Sequence, residues 1–208
     1  MKRNGFFLTF EGADGSGKST QAGHLAKTLQ TRGLEVVLTR EPGGSPGAEE
    51  IRKLLVEGEP ARWSAKTEIL LFTAARRDHL ERTILPALAR GAIVISDRFA
   101  DSTRVYQGAA RADLRQTVDR LHSLMIAHEP DLTLVFDIDA KIGLSRGLAR
   151  QSGEDRFEEL GADFQQKLRQ GYRALLDDFP DRCVAIDGKG TVEQVAKAVL
   201  VAVNGRLP

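Results

Sequence analysis

Five short runs of nearly continuous apolar and β-branched residues punctuate the chain, at 6–10, 35–39, 92–96, 132–136 and 183–186. Strands covered by helices on both faces have this texture, whereas half-exposed strands alternate. Between the runs, apolar residues recur at helical spacing over 19–31, 48–56, 66–89, 114–127, 141–149, 164–178 and 192–203. Strands that alternate with helices imply right-handed crossovers and a parallel sheet. Gly33 and Gly91 stand where helix C-terminal caps are needed, just ahead of the second and third strands. The predicted fold is α/β, three layers deep, with a five-stranded parallel sheet flanked by helices.

Composition narrows the class without changing that picture. A length of 208 residues fits one domain over 1–208, with enough chain to bury a core. Hydrophobic residues at 41% beside 28% charged ones argue against disorder, collagen or a disulfide scaffold. Lys and Arg number 30 and Asp and Glu 29, for a net charge of +1. That balance lacks the basic excess of nucleic-acid or membrane-surface proteins. Cys183 is the only cysteine, which excludes an internal disulfide and a thiolate zinc cluster. The apolar N-terminal run is too short for a signal peptide, and nothing approaches the ~20 apolar residues of a membrane span. The expectation is a cytoplasmic protein acting on small molecules, with no nucleic-acid or membrane partner. The polar stretch 150–159 reads as an exposed loop within the domain.

The chemistry starts at Gly12-Ala13-Asp14-Gly15-Ser16-Gly17-Lys18-Ser19, which fits G-x-x-x-x-G-K-[ST], the phosphate-binding P-loop. A strand precedes it and a helix follows, opening at Ser19 and Thr20. Glycines let successive N–H groups turn toward an anion, and the helix N-terminus adds partial positive charge. Lys18 is placed to reach the β- and γ-phosphates of ATP, and the Ser19 hydroxyl to ligate Mg²⁺. An N-K-x-D guanine motif is absent, since Asn4 and Asn204 are the only asparagines. The third strand ends in Asp97-Arg98, where an acid can serve a Mg²⁺ shell and a guanidinium can hold a second phosphate. The plain alternative is an ion pair capping a strand. Phe72 and Arg76 share a helix face, suited to stacking a base and donating to its carbonyl. Spacing alone favours the plainer reading, a core phenylalanine and a solvated arginine. Arg40 and Glu41 lead a Pro-Gly-Gly loop at the ligand-binding edge of the sheet. Arg150 and Arg156 flank Gly153, either in a solvated loop or in a lid that delivers cations to the transferring phosphoryl.

Together these segments resemble the thymidylate kinases (dTMP kinases) of the bacterial kind, P-loop nucleoside monophosphate kinases, over nearly the whole chain. The resemblance rests on FLTFEGADGSGKST, TREPGGSPGAEEIRKLL, LLFTAARRDHL, DRF, DSTRVYQG, PDLTLVFDID and the DRFE segment, in that order. It implies transfer of a phosphoryl group from ATP to dTMP with Mg²⁺ held at Ser19 and Asp97. The residues from Gly12 through Thr20, Gly15, Ser16 and Gly17 among them, would take the ATP phosphates. It implies that Phe72 stacks on thymine, Arg76 donates to a thymine carbonyl, and Thr103 and Gln107 border the base. Tyr106 would crowd the sugar, Asp14 would lie near its 3′-hydroxyl, and Arg98 would bind the dTMP phosphate. Arg40 and Glu41 would belong to the loop over that phosphate, and Arg150 and Arg156 to a lid at about 150–159. It also implies a homodimer. Ala109, Ala110 and Ala112 depart from the glycines common at those positions in relatives. The alternatives are a kinase for another deoxynucleotide or nucleoside, and a P-loop binding module without an acceptor.

Overall fold

A computed structural model describes residues 5–59, 61–110, 113–139, 142, 143, 145 and 161–207. The expected lid at 150–159, with Arg150 and Arg156, lies outside the described residues, as does most of the helix expected over 141–149. The chain runs β1 (Phe6–Gly12), α1 (Lys18–Thr31), β2 (Val36–Arg40), α2 (Pro46–Val56), α3 (Ala65–His79), α4 (Leu85–Ala89) and β3 (Ile93–Asp97). It continues through α5 (Ala100–Thr103), α6 (Arg115–Met125), β4 (Leu132–Asp137), α7 (Gly161–Asp178), β5 (Cys183–Asp187) and α8 (Val192–Asn204). The five strands form one parallel sheet in the order β2-β3-β1-β4-β5, as the alternating pattern predicted. Gly33 and Gly91 have φ of 77° and 90°, the left-handed geometry of helix ends.

Three features depart from the sequence reading. β1, β3 and β4 are buried almost throughout, but edge strands β2 and β5 are not, and Leu38 is 49% exposed. An apolar run predicts burial on both faces only where neighbouring strands also flank it. The segment expected as one helix over 66–89 is broken by a wide π turn at Leu80–Ile84, with Leu85 N–H bonding to the Leu80 carbonyl. Pro86 has no N–H to continue the ordinary ladder. A second π turn, Arg104–Ala110, follows α5 in a stretch the periodicity left without an element.

Side-chain alternation along β1 splits the interior. Phe6, Leu8 and Phe10 pack with Leu25 and Leu29 of α1 and Val195, Val199 and Val203 of α8. Phe7 faces the other layer with Leu80, Ile84, Val94 and Phe99. Thr9 and Glu11 also point to that second face, fully buried although polar. Burial without partners would be costly, and each has partners: Thr9 Oγ1 lies 2.9 Å from Thr133 Oγ1, and Glu11 receives the loop after β3.

Candidate active site

The carboxyl ends of β1, β2 and β3 are tied to one another. Arg98 N–H donates to the Phe10 carbonyl at 3.0 Å, and Glu41 N–H to the Asp97 carbonyl at 2.9 Å. This edge of an open α/β sheet is where ligands bind. The P-loop curls there through glycines at φ 147° (Gly12), 75° (Gly15) and 90° (Gly17). A Cβ on Gly12 would stand 2.8 Å from the Phe136 carbonyl oxygen, so only glycine lets β1 pass this close to β4. No side chain caps α1 at Gly17, which leaves its first-turn amides available to an anion. Lys18 is buried beneath the loop, with Nζ 3.2 Å from Asp14 Oδ1 and 3.5 Å from the Ala13 carbonyl. Ser19 and Thr20 open to solvent.

Asp14 joins two cations. Arg98 Nη2 donates to Asp14 Oδ1 at 2.7 Å, and Tyr106 OH donates to Oδ2 at 2.9 Å. Burial would raise the Asp14 carboxyl, but Arg98 and Lys18 hold it well below the usual carboxylate range. Lys18 is lowered as well, by burial and then by Arg98, against the pull of Asp14 and Asp97. Arg98 sits at φ 74°, an uncommon conformation for a side-chain-bearing residue. Its guanidinium is held on both arms, Nη1 by Ser102 Oγ at 2.9 Å and Tyr172 OH at 2.8 Å, Nη2 by Asp14 and Tyr106. Ser96 Oγ donates to the Arg98 carbonyl at 2.8 Å, fixing the turn. Glu11 supports the same turn from below, accepting from Phe99 N–H at 2.8 Å and from the Ser102 hydroxyl. Burial, and then Asp101, push the Glu11 carboxyl up to about 7.

Beside this cluster opens a pocket of about 420 Å³. Phe72, Phe99 and Pro42 supply apolar wall, and Arg76, Thr103, Tyr106 and Gln107 the polar groups, with Asp14 and Arg98 at the P-loop side. Arg76 is only 4% exposed, so the solvated arginine that spacing allowed is excluded. Its Nε donates to Glu41 Oε2 at 2.7 Å and its Nη2 to the Phe99 carbonyl at 3.1 Å and to Thr103 Oγ1 at 3.0 Å. Gln107 Nε2 donates to Glu68 Oε2 at 3.2 Å, and its Oε1 is buried without a partner. A pocket with apolar wall, donors and an unfilled acceptor, next to an anion cradle, suits a nucleotide base and its phosphate.

A hard cation needs oxygen donors with lone pairs to spare. Asp97 Oδ1 is buried with no hydrogen-bond partner, and Asp97 acts electrostatically on Lys18. With the open Ser19 hydroxyl, these donors fit Mg²⁺. The structure thus brings together the P-loop, Asp97, Arg98, Phe72, Arg76, Thr103, Tyr106 and Gln107. It turns Arg40 outward, 55% exposed and paired with Glu49, and Arg40 does not line the pocket. Glu41 faces inward, but its partners are Arg76 and His79 rather than an open phosphate position. Pro42, Phe99, Ser102, Glu11 and Tyr172 were missed by sequence reasoning. Only Glu11 carried a signal, a lone acid in an apolar strand.

A P-loop at the switch edge of a parallel sheet, an arginine facing it and a base-sized pocket beside it define the P-loop nucleotide-binding class. Comparison with known proteins narrows the class. The thymidylate kinase family model matches residues 10–199. The chain is 63% identical to the thymidylate kinase of Ruegeria pomeroyi over 199 residues, 96% of this chain and 94% of that one. It is 64% identical to that of Dinoroseobacter shibae over 200 residues, 96% and 97% of the two chains. The crystal structure of thymidylate kinase from Ehrlichia chaffeensis superposes with a TM-score of 0.79 at 34% identity, over 97% of this chain and 99% of that one. The chain belongs to the thymidylate kinase family.

Proposed function

We propose that the chain catalyses ATP + dTMP → ADP + dTDP. The observation that carries this reading is the base-sized pocket that opens onto the P-loop through Asp14 and Arg98. A dTMP molecule with its ring between Phe72 and the wall, and its phosphate at Arg98, has an oxygen aimed at the P-loop. That oxygen attacks the γ-phosphorus of ATP in line, the bond to the β,γ-bridging oxygen breaks, and ADP leaves with that electron pair. No covalent enzyme intermediate is required. Catalysis is then positioning and charge neutralisation by Lys18, Arg98 and the lid arginines Arg150 and Arg156. Ser19 and Asp97 would hold Mg²⁺, which would supply further neutralisation of the β- and γ-phosphate charge. Arg76 donates to a thymine carbonyl while Thr103 and Gln107 border the ring. Tyr106 stands against the sugar, and closure over the site excludes water that would otherwise hydrolyse ATP.

A homodimer fits the exposed Leu70 of α3 and Leu124 and Met125 of α6, on two helices that the Arg77 bond to the Met125 carbonyl ties together. Sedimentation velocity at micromolar concentration reads it. A cytoplasmic setting agrees with the described residues, where no helix is long and apolar enough to cross a membrane. One assay tests the reaction: ADP release with ATP alone, then with dTMP, dUMP, dCMP or dGMP added. Release should depend on dTMP, and Lys18→Ala should abolish most turnover without unfolding the chain. Equal release without acceptor, or with dCMP in place of dTMP, would overturn the assignment.

A further inference from the structure

Arg76 can read a base only if its guanidinium is held in one plane, because a long flexible side chain otherwise samples many rotamers. Three bonds hold it, and the shortest, 2.7 Å from Nε, goes to Glu41 Oε2. None of them uses Nη1. Glu41 lies on the loop after β2, outside regular structure, and its other oxygen must be anchored too. That anchor is His79, whose Nδ1 lies 3.0 Å from Glu41 Oε1. The imidazole is fully buried, and its Nε2 lies 2.7 Å from Thr39 Oγ1. A carboxylate only accepts, so Nδ1 carries the proton; in the neutral ring Nε2 accepts, and the Thr39 hydroxyl donates. The result is a buried line from the end of β2 to the pocket: Thr39, His79, Glu41, Arg76.

The surrounding backbone is shaped to this line. Arg76 and His79 are three apart on α3 and so face the same side, and the π turn starts at Leu80, directly after His79. Gly44 packs against the His79 ring and Thr39 Oγ1 so closely that a Cβ there would collide with both. The Gly44 carbonyl is pinned by the Thr83 hydroxyl at 2.7 Å.

We propose that His79 is a positioning residue for base recognition, acting through Glu41 to fix the Arg76 guanidinium against the nucleobase carbonyl. This rests on the base-reading role of Arg76 proposed above. A histidine that only fills the core would affect folding and both substrates alike. The test compares His79→Asn, whose amide nitrogen can reach near the Nδ1 position, with His79→Gln, whose amide reaches the Nε2 position instead. KM and kcat are measured for dTMP and for ATP, along with the preference for dTMP over 5-methyl-dCMP, which presents an amino group where thymine has O4. His79→Gln should raise the KM for dTMP about tenfold, as for one lost charge-assisted hydrogen bond. It should leave the KM for ATP within about twofold and narrow the dTMP preference. His79→Asn should restore most of both. In an Arg76→Ala background, His79→Gln should add nothing further.

Equal rises in both KM values, or a His79→Gln effect that persists without Arg76, would overturn the proposal. If the His79 variants do not fold, Thr39→Val at the far end of the line carries the test. A severalfold rise confined to the KM for dTMP supports the proposal, and an unchanged KM overturns it. Arg76→Ala separates the two layers. If it leaves the KM for dTMP and the base preference unmoved, the base-reading role fails and the proposal with it. If Arg76→Ala raises that KM but His79→Gln and Thr39→Val do not, only the positioning role fails.

Discussion

Asp14→Asn is the most informative single change, because it keeps shape and removes one charge from a cluster of three. The carboxylate accepts from Arg98 at 2.7 Å, Tyr106 at 2.9 Å and Lys18 at 3.2 Å. Its loss leaves two buried cations facing each other. Breaking a buried ion pair by removing one partner costs about 3–5 kcal/mol. The Asp14 side chain is 30% exposed, so solvent offsets part of this, leaving roughly 2–3 kcal/mol. For a chain of this length each kcal/mol shifts Tm by about 2–4 °C, so the ligand-free variant should melt roughly 5–10 °C below wild type at pH 7. Polyphosphate reverses the logic. Tripolyphosphate in the P-loop neutralises Lys18 and Arg98, and in the variant no carboxylate competes with it. Scanning calorimetry with and without tripolyphosphate should therefore show a larger ligand-induced rise in Tm for Asp14→Asn than for wild type. The folded carboxyl titrates below its ordinary value of 3.8. Its stabilisation is therefore fully present above that value and is lost only as pH falls through the lowered one. The Tm gap between the two proteins should hold from pH 8 down to about 5. A ligand-free gap under about 2 °C, or an equal rise with tripolyphosphate in both proteins, would refute the reasoning.

Tyr106→Ala should narrow the preference for dTMP over its ribonucleotide counterpart. Tyr106→Phe keeps the ring and should retain that preference while losing the bonds to Asp14 and Arg98; parallel kinetics on the two nucleotides decide it. Arg150→Ala and Arg156→Ala should lower kcat, by up to ~10³-fold for the closer arginine, far more than they raise the KM for dTMP. Turnover like wild type in both would leave 150–159 an ordinary charged loop. Glu11 holds its proton more tightly when folded, because its carboxyl is raised from 4.5 to about 7. Stability should consequently fall as pH rises across that window. Glu11→Gln removes this slope, so its Tm relative to wild type should climb between pH 5 and 7. A constant difference would contradict the burial argument.

What could be read from the sequence was whatever one stretch of chain decides by itself. The P-loop is such a feature: its glycine geometry and the following helix are local, so Gly12 to Ser19 were recognisable without a partner. The five strands were legible because burial in a parallel sheet demands unbroken apolar runs, and Phe72 with Arg76 because helical spacing fixes a shared face. That Lys66 to Ala89 would break at a π turn was foreshadowed only by Pro86, and the second π turn, with Tyr106 and Gln107, carried no periodic signal. Edge exposure at Leu38 depended on strand order, which no single run contains.

The tertiary structure decided what each polar group is bonded to. Glu11 finds Phe99 and Ser102 some 90 positions away. Arg98 finds Asp14 across 84 and Tyr172 across 74. Glu41 finds Arg76 across 35 and His79 across 38. A lone acid in a strand or an arginine on a helix reads as solvated until its partner is known, because burial of a charge is tolerable only where another chain segment meets it. Hydrophobic burial is non-directional and leaves its mark on every buried position in turn. Hydrogen bonds and ion pairs are directional and pairwise, so they become visible only when the sheet order has set the distant segments side by side.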